Sequence, residues 1–394
     1  MANILMAWEL GAGYGHLGPL LTLARPLKAA GHTVSFVVRD VVAAEAILAG
    51  SGIPYYPAPA NFLPSGASTL HSYPQILLST AFNDEAELRA RLRAWRSLFA
   101  VLKPDVLVAD HAPTALLAAR GESMRTVITG NGFVVPPDAS PLPDLRGWAP
   151  AEPKSLEDAE AQALERMNHV AKTLGMPPLL RFADLYAGAA PALFTFHELD
   201  NYAALRKGAE YWGTLPGPGG ALPRWPEGPG KRVFFYGQPF DSLPEVLQSL
   251  ATARHRSLIY IPKLAPELMR LASPQLVFAD GLQDMATVTR ECDAAVMTNG
   301  HSTVAAMLMA GKPMVLLPRH LEMFLIARSI EERGAGLSAP ALKREGILGK
   351  LERVLGEPRF AEKAQAVAER HRDWDPMSPV QNFTALVTRL AAER

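Results

Sequence analysis

The sequence contains little that would tie it to an extracellular, membrane or nucleic-acid setting. Its single cysteine, Cys292, excludes an intrachain disulfide and a metal site built from several thiolates. Lys plus Arg and Asp plus Glu total 39 each, so no net charge attracts nucleic acid or an anionic membrane surface. No run reaches about 18 uncharged apolar residues, and the N-terminus lacks a basic leader. We therefore expect a cytoplasmic protein without stable membrane insertion.

The length of 394 residues favours two domains, because single cores stop growing at about 250 to 300 residues. Hydrophobic residues make up 48% and charged residues 20%, as in ordinary globular proteins. Between Gly213 and Gly230 the sequence GTLPGPGGALPRWPEGPG is too rich in Gly and Pro for a helix or strand. We predict a first domain over 1–212, a linker over 213–230, a second domain over 231–375 and a C-terminal helix over 376–394.

The hydrophobic pattern alternates between strands and helices in both halves. A strand over Asn3–Leu10, a glycine loop, a helix over Leu17–Ala30 and a strand over Thr33–Val38 form a βαβ unit, which implies a parallel sheet. The alternation restarts beyond the linker, with predicted strands at Arg232–Tyr236, Ser257–Ile261, Gln275–Phe278, Ala294–Thr298 and Met314–Leu317. The pattern predicts an α/β protein with two Rossmann-like domains.

The loop GAGYGH, over Gly11–His16, joins the first predicted strand to the first helix. A dinucleotide fingerprint, G-x-G-x-x-G, would need glycine at position 16, although Asp40 could serve as its ribose-binding acid. A histidine at this helix start lies where open α/β sheets bind ligands, which suits a general base. The alternative is that His16 only hydrogen-bonds a loop carbonyl.

The apolar strand DVLVAD ends at Asp110, at the same edge of the predicted sheet as His16. A carboxylate there could accept the ring N–H of His16 and fix its tautomer, as in the histidine–aspartate part of a catalytic triad. The alternative role for Asp110 is to cap the following helix.

The segment AAVMTNGHST, over Ala294–Thr303, runs from a strand through a polar turn into a helix. Ser302 and Thr303 are good N-cap residues, and helix N-termini bind phosphate well. The next loop, PRHLEMF, carries Arg319, His320 and Glu322. Helix capping and solvent exposure would explain these residue types equally well.

Taken together, these motifs resemble the glycosyltransferases of the GT-B fold, in the family of plant and bacterial natural-product and macrolide glycosyltransferases. The run GYGHLGP, starting at Gly13, is similar to the G-x-G-H-x-x-P loop of that family, whose histidine deprotonates the acceptor hydroxyl. The resemblance implies that His16 is the base, that Asp110 is its partner, and that Gly13 and Gly15 contribute to donor binding. It also implies two Rossmann-like domains facing each other across a cleft.

The second half carries the more specific match, CDAAVMTNGHSTVAAMLMAGKPMVLLP. It is similar to the donor signature of the family, which assigns Gly300, Ser302 and Thr303 to phosphate binding. Glu322 aligns with the acid that holds donor-sugar hydroxyls. Two further residues, Gly237 and Gln238, fall where the family has a glycine and a serine near the donor.

The donor signature departs from the family at four positions. Thr298 replaces the usual phosphate-contacting histidine, and Asn299 replaces the next glycine. Ala306 and Met323 replace an acidic residue and a glutamine. We hypothesise that the ring of His301 supplies the missing phosphate contact, and we count Thr298, Asn299 and His301 among the donor-binding residues.

The resemblance implies an inverting, metal-independent transferase that moves a sugar from a UDP- or dTDP-sugar to a hydroxyl of a small, apolar or natural-product acceptor. The nucleotide sugar is a co-substrate, and no other cofactor, metal or nucleic-acid partner is expected; a homodimer is left open. The loops Tyr55–Tyr73 and Pro136–Pro153 are expected to choose the acceptor. Three alternatives remain: a nicotinamide oxidoreductase, an epimerase or hydrolase of the same fold, and a noncatalytic nucleotide-sugar-binding protein.

Overall fold

The computed structural model describes residues 1–11, 15–60, 69–217, 219–298 and 300–393. The chain divides into two compact units. The first comprises Met1–Pro216 together with Met377–Arg394, and the second comprises Gly217–Pro376. Each unit is built around a parallel sheet of six strands.

The sheet of the first unit has the strand order β3-β2-β1-β4-β5-β6. Its strands are β1 (Asn3–Trp8), β2 (Thr33–Val38), β3 (Tyr55–Pro57), β4 (Val106–Asp110), β5 (Arg125–Gly130) and β6 (Ala189–Leu193). The last five residues of β1 and all of β4 are buried, as expected for central strands covered on both faces. The chain winds outward in opposite directions from β1 and β4, so the topological switch point lies between these two strands.

Within the described residues, the first unit carries six α-helices before the unit boundary. They are α1 (Leu17–Ala29), α2 (Val41–Leu48), α3 (Tyr73–Leu78), α4 (Glu85–Leu102), α5 (Pro113–Ala119) and α6 (Pro153–Thr173). Asp40 caps α2 by accepting hydrogen bonds from the N–H groups of Val42 and Ala43, and Asp84 caps α4 by accepting the N–H of Glu87. Because its carboxylate makes these bonds, Asp40 has a structural role in helix capping.

The sheet of the second unit has the order β12-β11-β10-β7-β8-β9. Its strands are β7 (Arg232–Tyr236), β8 (Arg256–Tyr260), β9 (Leu276–Phe278), β10 (Ala294–Met297), β11 (Met314–Leu316) and β12 (Gly336–Ser338). The helices between and after them are α7 (Leu243–Ala251), α8 (Met285–Glu291), α9 (His301–Met309), α10 (Leu321–Glu332), α11 (Arg344–Gly356) and α12 (Pro358–Arg370). Here the switch point lies between β7 and β10.

The last helix, α13 (Ser378–Ala392), belongs to the core of the first unit. Its residues Phe383, Val387 and Ala391 are buried in the same apolar cluster as residues of β1 and α1. Within the described residues, every helix is too short or too polar to cross a bilayer.

The structure confirms the predicted α/β class with two Rossmann-like halves, and it corrects several element boundaries. The segment predicted as a loop over Tyr55–Tyr73 begins with the edge strand β3. The helix for which the sequence favours Ser302 or Thr303 as the N-cap begins earlier, at His301, with Gly300 as its N-cap. Ser302 and Thr303 therefore lie in the first helical turn and are not the caps that the sequence predicted.

Candidate active site

His16 and Asp110 meet at the switch point of the first sheet. His16 follows β1 at the N-cap position of α1, and Asp110 is the last residue of β4. The Nδ1 atom of His16 lies 3.0 Å from Oδ2 of Asp110, and the two side chains are 20% and 9% exposed. The alternative role of Asp110 as a helix cap is not observed, since α5 has Ala112 at its N-cap position.

The His16–Asp110 contact determines which ring nitrogen of His16 carries the proton. An ionised carboxylate only accepts hydrogen bonds, so the neutral ring carries its proton on Nδ1 and its lone pair on Nε2. Trp8 stacks on the imidazole, with ring centroids 5.3 Å apart and an interplanar angle of 20°. The ring is held in the orientation and tautomer that a general base requires.

Gly11 allows the ring of His16 to lie directly against the backbone. Its φ is +89°, in the region that favours glycine, and a Cβ at this position would lie 2.3 Å from Nε2 of His16. Arg39 donates to the carbonyl oxygen of Gly11 at 3.0 Å. A side chain at position 11 would displace the histidine. Gly15 is described and exposed, whereas the predicted donor residue Gly13 lies outside the described residues.

A buried carboxylate, Glu9, links the end of β1 to the helices α4 and α5. It accepts hydrogen bonds from the backbone N–H of Thr114 at 2.9 Å, from the Thr114 hydroxyl and from the indole of Trp95. Burial raises the pKa of Glu9 above its usual value, and these hydrogen bonds offset only part of that rise. Glu9 thus caps the start of α5, the helix that follows β4 and Asp110. Sequence reasoning missed this residue, because a single glutamate after an apolar strand carries no distinctive pattern.

A second missed residue is His111, which directly follows Asp110. Its φ is +45°, an unusual conformation for a residue other than glycine. The residue is 9% exposed, and its Nε2 atom is buried without a hydrogen-bond partner. An unsatisfied buried polar group costs about 1–3 kcal/mol. Burial, followed by the charges of His16 and Arg39, lowers the pKa of His111 to about 3.

The predicted donor residues of the second unit lie at the carboxyl ends of β7, β10 and β11. Thr298 is 1% exposed, and its hydroxyl accepts the backbone N–H of Gln238 at 2.6 Å. A Cβ on Gly237 would come within 2.7 Å of the same hydroxyl. The buried hydroxyl of Thr298 therefore connects the loop after β10 to the loop after β7, the two strands on either side of the switch point.

Arg319 continues this network from the loop after β11. Its guanidinium donates to the carbonyl oxygen of Pro239 at 2.9 Å and lies 3.4 Å from Oε1 of Gln238. Glu322 lies in the first turn of α10, after the same loop. The structure thus brings the loops that follow β7, β10 and β11 together at one edge of the sheet.

The start of α9 is the part of this edge suited to an anion. Gly300 is exposed and, as the N-cap residue of α9, has no side chain with which to cap the helix. The first N–H groups of a helix have no partner within it and favour negative charge. Ser302 is exposed, whereas His301 is 7% exposed. The predicted donor residue Asn299 lies outside the described residues. In the described part of the chain, His, Cys, Asp and Glu form no group of three or more suited to a metal ion.

No known protein-family model matches the chain. Among curated proteins, it is 35% identical to the elloramycin glycosyltransferase ElmGT of Streptomyces olivaceus over 88 residues, or 22% of either chain. It is 26% identical to a PGL/p-HBAD biosynthesis glycosyltransferase of Mycobacterium tuberculosis over 351 residues, or 78% of this chain and 77% of that protein.

The likeness to solved structures extends over nearly the whole chain. The calicheamicin glycosyltransferase CalG4 matches with a TM-score of 0.69 and 18% identity, covering 99% of this chain and 98% of that one. SsfS6 of Streptomyces sp. SF2575, complexed with thymidine diphosphate, matches with a TM-score of 0.64 and 19% identity, covering 99% and 100%. The comparisons confirm the resemblance found in the sequence: this chain has the GT-B fold, with two Rossmann-like domains, and the proteins it resembles are natural-product and related glycosyltransferases.

Proposed function

We propose that the protein is a glycosyltransferase that moves a sugar from a nucleoside diphosphate donor, a UDP- or dTDP-sugar, to a hydroxyl of a small-molecule acceptor. The observation that carries the proposal is the 3.0 Å contact between His16 and Asp110 at the switch point of the first sheet. Open α/β sheets bind ligands at this position, and the paired carboxylate leaves Nε2 of His16 as the basic atom.

In the proposed reaction, Nε2 of His16 takes the proton of the acceptor hydroxyl as its oxygen attacks the anomeric carbon. The new C–O bond forms while the bond from that carbon to the diphosphate oxygen breaks, and the leaving nucleoside diphosphate keeps the electron pair. A single displacement inverts the configuration at the anomeric carbon. Asp110 stabilises the imidazolium that forms on His16.

The start of α9 is the proposed site of the donor diphosphate. Its backbone N–H groups and the positive end of the helix dipole favour the charge that develops on the leaving group. The bound thymidine diphosphate in SsfS6, whose fold this chain shares, supports a nucleoside diphosphate as the ligand class. In this placement the backbone N–H groups of α9 stabilise the negative charge of the leaving group. We therefore propose that the transfer needs no metal ion.

The acceptor is proposed to be a largely apolar molecule with an aromatic or polycyclic part. Beyond the candidate base, buried rings line the same edge of the first unit: Tyr73 lies 5.9 Å from His111 and 6.4 Å from Phe133 between ring centroids. Aromatic side chains of this kind favour flat apolar ligands. Part of the predicted acceptor loop over Tyr55–Tyr73, positions 61–68, lies outside the described residues.

The donor site is tested by thermal stabilisation with UDP, dTDP, their sugar conjugates and NADH. A ligand at about a hundred times its dissociation constant adds about 2.7 kcal/mol to the free energy of unfolding. We expect UDP or dTDP to stabilise the wild type. In the Gly300→Asp variant the same nucleotide should give no stabilisation, because the carboxylate caps α9 and repels the diphosphate.

Gly300→Asn is the matched control. Position 300 has a φ of −77°, and among the described residues beyond its chain neighbours no atom lies within 4 Å of a Cβ built there, so a side chain has room at this position. Asn caps the helix without charge and should keep most of the nucleotide binding. Equal binding by the Asp and Asn variants would contradict the diphosphate site. Stabilisation by NADH alone would favour the oxidoreductase alternative instead.

A further inference from the structure

The proposed reaction leaves His111 without a role, although the residue lies beside the candidate base. The centroid of its ring is 6.3 Å from that of His16 and 5.9 Å from that of Tyr73. Tyr73 in turn lies 6.2 Å from Tyr186. His111 is therefore one member of a continuous row of rings that begins at His16 and leads into the first unit.

Two features of His111 are unfavourable for a residue that only fills space. Its backbone adopts a φ of +45°, and Nε2 has no hydrogen-bond partner although it is buried. Its carbonyl oxygen accepts the N–H of Leu10 at 3.0 Å, which fixes the backbone in this conformation. Backbone strain and unpaired buried polar groups concentrate at binding and catalytic sites.

We propose that His111 is a second hydrogen-bonding residue of the acceptor site, and that it holds an acceptor oxygen adjacent to the hydroxyl that His16 deprotonates. The proposal rests on the proposed transferase function and specifies its substrate class. The preferred acceptors carry two neighbouring oxygens, as in a catechol or in a hydroxyl next to a carbonyl.

The spacing of the two histidines fits such a pair of oxygens. Neighbouring oxygens on one molecule lie about 2.8 Å apart, a normal distance for an O–H···O hydrogen bond. Rings whose centroids are 6.3 Å apart can each reach one of them through a nitrogen. A half-turn about the Cβ–Cγ bond exchanges the two edges of the His111 ring without moving the backbone, so a nitrogen can turn toward the ligand.

The protonation state of His111 suits this role. Burial, His16 and Arg39 hold its pKa at about 3, so the ring is neutral at the pH at which transferases work. A neutral imidazole has one donor and one acceptor nitrogen, and it binds either a hydroxyl or a carbonyl oxygen. It does not compete with His16 for the proton of the attacking hydroxyl.

The test compares the binding of 2,3-dihydroxynaphthalene and 2-naphthol, which differ by one hydroxyl, to the full chain by titration calorimetry. We expect the wild type to bind the dihydroxy compound at least about tenfold more tightly, a difference of about 1.4 kcal/mol. His111→Leu should reduce the ratio of the two dissociation constants, 2-naphthol over 2,3-dihydroxynaphthalene, to about twofold or less. His111→Asn should keep part of it, because asparagine retains hydrogen-bonding groups and tolerates positive φ.

His255→Asn is the matched control. His255 is a buried histidine of the second unit, just before β8; its Nδ1 atom has no partner and its Nε2 atom lies 2.8 Å from Oε1 of Glu352, so the replacement removes a buried imidazole that the proposal does not place at the acceptor. The ratio of the two dissociation constants should stay at its wild-type value in this variant. UDP or dTDP should stabilise all the variants as they do the wild type.

An unchanged ratio in His111→Leu, or a wild type that binds both compounds equally or neither, would overturn the role of His111. Failure of the proposed function has a different signature. In that case the tenfold ratio and its loss in His111→Leu persist, but no nucleotide sugar yields a glycoside with either compound.

Discussion

Replacing His16 with alanine lowers kcat for sugar transfer by about 10³- to 10⁴-fold, because the acceptor hydroxyl loses the base that removes its proton. Donor affinity, measured by titration with UDP or dTDP, should stay within about twofold of the wild-type value, since the proposed diphosphate site belongs to the second unit. The effect should appear in kcat and not in the donor KM. Steady-state rates with a fixed acceptor and varied donor provide the measurement.

His169→Ala is the control for removing a histidine that contacts a carboxylate. The Nδ1 atom of His169 lies 3.3 Å from Oε2 of Glu85, but the side chain is 63% exposed on α6, away from the sheet switch point. This variant should keep the wild-type kcat. A His16→Ala protein with more than about a tenth of the wild-type kcat would show that another group removes the proton.

Replacing Asp110 with asparagine lowers kcat by about 10²- to 10³-fold, although the side chain keeps its size. The amide can donate a hydrogen bond to Nδ1 of His16, which favours the tautomer with its proton on Nε2 and removes the basic lone pair from the acceptor side. The charge that stabilises the imidazolium is also lost. Kinetics of the purified variant, with its Tm as a measure of folding, test this expectation.

Glu85→Gln is the comparison variant for Asp110→Asn. It makes the same change from carboxylate to amide opposite His169, on the surface of the same unit. We expect no change in kcat for Glu85→Gln. If Asp110→Asn keeps the wild-type kcat at an unchanged Tm, the 3.0 Å contact with His16 has a structural role only.

The fold class and most central strands could be predicted from the sequence. Buried parallel strands are short apolar runs, and Thr33–Val38 and Arg232–Tyr236 were predicted with the bounds that the structure gives them. The edge strand β3 was missed because its three residues include Pro57, which argues against a strand. The start of α9 was misplaced because Ser302 and Thr303 are better N-cap residues than Gly300, and local propensity did not decide the boundary.

The meeting of His16 with Asp110 could also be predicted, because both follow strands that end at the same edge of a parallel sheet. Other parts of the site depend on packing that no local pattern encodes. The hydroxyl of Thr298 is committed to the N–H of Gln238, 60 residues away in sequence. The unpartnered nitrogen of His111 depends equally on tertiary surroundings. The roles of the described donor residues stay predictions.

The most direct test of the proposed function is product analysis after incubation of the protein with UDP- and dTDP-sugars and 2,3-dihydroxynaphthalene, with and without EDTA. The account predicts one equivalent of nucleoside diphosphate for each glycoside formed, with inverted configuration at the anomeric carbon by NMR and no effect of EDTA. Free sugar released at the same rate without acceptor, or a glycoside of retained configuration, would contradict it.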